Sequence, residues 1–89
     1  MSSSELSDVA WDLVEHCRAA LNPAELNTAF THLGVGDYSE AMTLALKSLG
    51  RNGGPPLPAE LVSRLIHVQQ TYHVDHGFVD LLAAAPRAG

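Results

Sequence analysis

Apolar residues recur at three- and four-residue steps along most of the chain, the period of a helix with one buried face. Over residues 4–21, Leu6, Val9, Ala10, Leu13, Val14, Cys17 and Leu21 form one stripe, and Ser2 and Glu5 have capping-box spacing ahead of it. Asn22 is placed to cap a second helix, with Pro23 in the first helical position and Glu25 completing a second capping box. Leu21 and Leu26 bracket that cap as a hydrophobic staple. Ala29, Phe30 and Leu33 continue the inward face, and Gly34 is expected to end the helix in a left-handed conformation. A third helix follows over about 38–49, capped by Asp37 and Glu40 and stopped by Gly50. Its stripe is Tyr38, Ala41, Met42, Ala45, Leu46 and Leu49.

The stretch "RNGGPPLP" has no period and is rich in turn formers, so it reads as a loop. Pro58 opens a fourth helix that carries Leu61, Val62, Leu65, Ile66 and Tyr72 inward. "HVDHG" interrupts it near 73–77. Asp75 is positioned to cap a short fifth helix holding Phe78, Val79, Leu81 and Leu82. Residues 1–3 and 86–89 are expected to fray. No segment alternates in the manner of a strand. The expected fold is all-α, a small bundle of four helices plus a short C-terminal one, forming a single domain over 1–89.

The segment "HLGVGDYSEA" raises a phosphate-loop reading, because two glycines sit one residue apart. A dinucleotide loop requires a preceding strand and three glycines. Here a helix precedes and two glycines are present, so a bend between helices is the better account.

Composition narrows the function. Ten acids against five Lys and Arg give a net charge of −5 over 89 residues. That disfavours nucleic acid, whose affinity comes mostly from neutralised phosphates, and anionic membranes; a basic protein partner is the natural complement. Residues 1–40 hold seven of the acids and only one base, Arg18, so the acidity belongs to the N-terminal half. One cysteine builds neither a disulfide nor a four-thiolate zinc site. The N-terminus lacks the pattern of a secretory signal, and no apolar run reaches the ~18 residues of a membrane span. A cytoplasmic setting is the expectation.

Candidate chemistry is sparse. Among five histidines, His73 and His76 are three apart, but no further ligand is indicated for a metal. Cys17 lies on the apolar stripe, where a thiol is protonated and inert. Its neighbour His16 points about 100° away on the helix. No catalytic residue, metal or cofactor is assigned, and a non-enzyme is expected.

The more informative feature is the second face of the first helix. Glu5, Asp8, Asp12 and Glu15 are spaced 3, 4 and 3. At about 100° per residue they fall within an arc of roughly 80° opposite the apolar stripe, with Trp11 at its edge. This is either a solvated helix face or an acidic strip with an aromatic anchor for a basic partner. Arg51, Arg64, Gln69 and Gln70 face only Glu60, so the fourth helix and the loop before it are the less acidic end. Lys47 and Arg51 suit the C-terminal dipole of the third helix.

The segment "LNPAELNTAFTHLGVGDYSEAMTLALKSL" followed by "PLPAELVSRLIHV" resembles the Maf-type immunity proteins (MafI family) of bacterial polymorphic toxin systems. Gly36, Asp37, Tyr38, Ala41, Ala45, Leu46, Pro58 and Glu60 carry the resemblance, which spans about residues 9–72. The "RNGGPP" insert and the "HVDHGFVDLL" tail depart from it. The resemblance implies a small acidic helical protein that binds a cognate toxin, often a nuclease with a basic groove, and blocks it without catalysis. The docking residues then expected are Glu5, Asp8, Trp11, Asp12 and Glu15. "GDYSEAMTLALKSL" also resembles the helix junction of a tetratricopeptide repeat, which implies an adaptor or peptide-binding module instead; no 34-residue period recurs. A small helical enzyme or metal-binding protein is the third class.

Overall fold

The computed structural model describes residues 4–72 and 76–86. Its elements are α1 (Ser4–His16), a 3-10 turn (Arg18–Ala20), α2 (Pro23–Gly34), α3 (Tyr38–Asn52), α4 (Ala59–Tyr72) and α5 (His76–Ala84). The architecture is all-α, with no strand among the described residues. Capping by Ser2 and by Asp75 lies outside those residues.

The first helix ends five residues earlier than its apolar stripe suggests. Pro23 excludes the helical region for Asn22, which sits at ψ 169°. The chain must therefore leave the helix before it reaches the cap. It does so by tightening: Ala20 N–H donates to Cys17 O at 2.8 Å, and Leu21 is extended at φ −91°, ψ 131°. Cys17, Ala20 and Leu21 stay buried through this change of winding.

At the start of α2 the predicted capping box is present. Glu25 N–H donates to Asn22 Oδ1 at 2.8 Å, and Asn22 N–H donates to Glu25 Oε1 at 3.0 Å. The far end differs from expectation. Gly34 remains helical, and the left-handed residue is Gly36, at φ 86°. Asp37 N–H donates to His32 O at 2.8 Å and Gly36 N–H to Leu33 O at 3.3 Å, the bond pair of a Schellman motif. Asp37 is thereby committed to closing α2. It stands at the N-cap of α3 without a side-chain cap bond, and its carboxylate lies 3.6 Å from His32 Nδ1.

Gly50 likewise does not stop α3. The helix continues to Asn52 and ends at Gly53, at φ 66°, whose N–H donates to Leu49 O at 3.0 Å. The extra turn has a use: Asn52 Nδ2 donates to Ala20 O at 2.6 Å, and Arg51 pairs with Glu25. Pro58 sits just outside α4 and accepts its first backbone bond, from Val62 at 3.0 Å.

The core is one cluster. α3 is its central element, packed against α1, α2 and α5, while α4 packs on α1. Ala41, Ala45 and Ser48 recur at helical steps beside Met42, Leu46 and Leu49, and all six are buried. A wide buried arc is what a helix with neighbours on several sides requires. Phe30, Tyr38, Ile66 and Tyr72, expected to face inward, pack at the core's edge. Four buried residues lie off the predicted stripes: Ala20 in the 3-10 turn, Ser48 on α3, Val68 on α4, and Leu57, fully buried in the loop.

Two contacts anchor that loop. Leu57 N–H donates to Pro86 O at 2.9 Å, which ties it to the end of α5. His16 Nε2 lies 3.1 Å from the carbonyls of both Pro55 and Pro56. Both partners are acceptors, so this nitrogen carries the proton. The Cα radius of gyration is 11.7 Å. About 12 Å is expected for a globule of this length, so α5 is packed on the bundle rather than extended from it.

Candidate functional site

The polar face of α1 divides into two edges and a ridge, because its neighbours approach from both sides. On the α4 edge, Asp12 Oδ2 lies 2.7 Å from Arg64 Nη1, and Glu5 Oε1 lies 3.4 Å from His67 Nε2. Residue numbers fall along α1 as they rise along α4, so the pairing order is antiparallel. On the α2 edge, the Trp11 and Phe30 ring centroids are 5.6 Å apart with planes tilted by 32°. Trp11 remains 40% exposed, so this contact steadies one flank of the indole and leaves the rest in solvent.

Between the edges, Asp8 and Glu15 are seven residues apart and share the ridge opposite the buried stripe. Glu15 holds Arg18, with Nη1 at 3.3 and 3.4 Å from its two carboxylate oxygens. The Arg18 guanidinium also lies over the Phe30 ring, 5.9 Å from its centroid. Asp8 is exposed and makes no ion pair among the described residues.

All five residues singled out in the sequence therefore lie on one helix surface, but they are not equivalent. Glu5 and Asp12 are engaged by α4 and Glu15 by Arg18, while Asp8 alone of the four carboxylates has no ion pair among the described residues. Surface pairs of this kind are worth about 0–1 kcal/mol, so they compete weakly with an incoming cation rather than abolishing the site. The sequence placed Arg64 at the less acidic end without linking it to α1. The signal was available in part: Arg64 and His67 are three apart beside the apolar seam of α4, a spacing that presents a guanidinium and an imidazole to one neighbour. Phe30 was assigned inward, and nothing in its own spacing marks it as Trp11's partner.

Compared with known proteins, the chain matches no family model, no curated protein and no solved structure.

The remaining candidates are chemically quiet. Burial pushes the Cys17 thiol up to about 12, which keeps it protonated and unreactive. Among the described residues no three His, Cys, Asp or Glu side chains gather as a metal site. His73 and the side chain of His76 lie outside them. No described helix is long and apolar enough to cross a membrane. A shallow groove between α3 and α5 is lined by Leu46, Gly50, Leu81, Ala84 and Ala85, with Lys47 at its rim.

Proposed function

We propose that this protein is a binding module of the immunity type, which docks on a basic toxin domain through the outer face of α1 and blocks it. One observation carries the reading: a half-exposed tryptophan stands beside an uncommitted carboxylate on the acidic half of a chain of net charge −5. Tryptophan is among the commonest anchors of protein interfaces, and surrounding charge of one sign steers a partner of the other. Asp8, Trp11 and Glu15 form the centre of the proposed surface. Glu5 and Asp12 form its α4 edge and become available when Arg64 and His67 yield. The resemblance of residues 9–72 to the Maf-type immunity proteins supports the finer assignment to a toxin. Occlusion of this kind needs no catalytic group.

The test is co-expression with a toxin domain, which the reading expects the adjacent gene to encode. The chain is expected to restore growth to cells making that domain. The Asp8→Lys/Glu15→Lys chain is expected to protect poorly at equal abundance. A neighbouring toxin unaffected by the chain would contradict the reading, and so would equal protection by the charge-reversed chain. The groove between α3 and α5 supports a second reading, a peptide-binding adaptor, in which peptides act there and α1 is indifferent.

A further inference from the structure

We propose that Asp8 and Trp11 together form a receptor for an arginine side chain of the protein partner. This rests on the docking surface proposed above and names the chemistry at its centre. The molecule already displays that chemistry once. Glu15, near the end of α1, and Arg18, opening the 3-10 turn, are three residues apart, and the Arg18 guanidinium is held between the Glu15 carboxylate and the face of Phe30. A planar cation is thus gripped by a carboxylate on one side and an aromatic ring on the other.

Seven residues back along α1, close to the azimuth of Glu15, stands Asp8, and here the aromatic ring beside the carboxylate is Trp11 of the same helix. Asp8 and Trp11 are again three apart, so carboxylate and ring are neighbours on the surface. Here the carboxylate makes no ion pair among the described residues, and the ring is 40% exposed. Phe30 packs on Trp11 at 5.6 Å and fixes the indole against α2, so its open side is presented without further ordering.

Arg18 does not repel the incoming charge strongly, because Glu15 neutralises it at 3.3 Å. Arginine suits this arrangement better than lysine. Its flat guanidinium stacks on an indole while its fork donates to a carboxylate in the same plane, whereas an ammonium is a hydrated point charge.

Trp11 is the chain's single tryptophan, so its fluorescence reads the site directly. Oligo-arginine and oligo-lysine peptides of equal length are titrated into the full chain at low salt. Oligo-arginine is expected to perturb Trp11 emission at a concentration about two- to fivefold lower than oligo-lysine. Asp8→Asn is expected to erase that preference, and Glu40→Gln, an exposed carboxylate on α3, to preserve it. Circular dichroism of Asp8→Asn confirms that the helices are retained.

Equal response to the two peptides overturns the proposal, as does an arginine preference that survives Asp8→Asn. The outcome is separable from that of the docking surface. Charge reversal that abolishes protection, with Trp11 blind to arginine, removes the receptor and leaves the surface. Protection indifferent to charge reversal removes the surface, whatever the peptides do.

Discussion

At the scale of single residues, Gly54 shows how much the loop depends on close approach. A Cβ there would meet Leu49 Cδ1 at 2.6 Å and Ala20 Cβ at 3.2 Å. Leu49 is 1% exposed, so its methyl has nowhere to retreat. Gly54→Ala is expected to lose about 1–3 kcal/mol through overpacking, measured by denaturant unfolding. A change within about 0.5 kcal/mol, as at an ordinary surface site, would show that the loop moves away freely. The sequence marked this glycine as a turn former and nothing more. Its second role depends on Ala20, in the 3-10 turn between α1 and α2, and no local pattern encodes that meeting. Cys17 is the opposite case: the stripe of α1 placed it inward, and burial accounts for its suppressed reactivity.

Among elements, the joint between α2 and α3 carries a pH dependence with a definite sign. The Asn22 backbone N–H, and then the Arg51 guanidinium, hold the Glu25 carboxyl below the ordinary carboxylate range. A carboxyl with a depressed folded pKa stabilises the fold fully above its unfolded pKa, and that contribution is lost as pH falls through the folded value. Wild type is therefore expected to melt above Glu25→Gln at neutral pH, with the gap closing in acid as Glu25 protonates. A gap that is constant or widens in acid would contradict this. The capping box was legible because its two residues are three apart. The tie to Arg51 was not, because it depends on α3 running on past Gly50. Two glycines competed as terminators at the C-terminal end of α2, Gly34 and Gly36, and two at that of α3, Gly50 and Gly53. In both cases the later one, Gly36 or Gly53, took the positive φ because the earlier one lies within the helix.

On the scale of the whole molecule, periodicity was sufficient for the bundle but not for its surface. The stripes of α1 and α3 name about half of the core, because the inward direction of each helix is written in its own apolar spacing. Which carboxylates remain uncommitted is set by the azimuth at which α4 and α2 dock on α1. That information is spread over three helices. It leaves Asp8 and Trp11 at the centre of the candidate surface and moves Glu5 and Asp12 to its edge. The central claim is that this surface, rather than net charge in general, recruits a basic partner.

It is tested most directly by the association rate with the basic toxin domain proposed as partner, at low and high salt, for three chains: wild type, Asp8→Lys/Glu15→Lys, and Glu40→Lys/Asp80→Lys. The two double variants change net charge equally. The account predicts that reversal on α1 slows association about tenfold or more and flattens its salt dependence, while reversal on α3 and α5 has a several-fold smaller effect. Equal slowing by both double variants, or none by either, would contradict it.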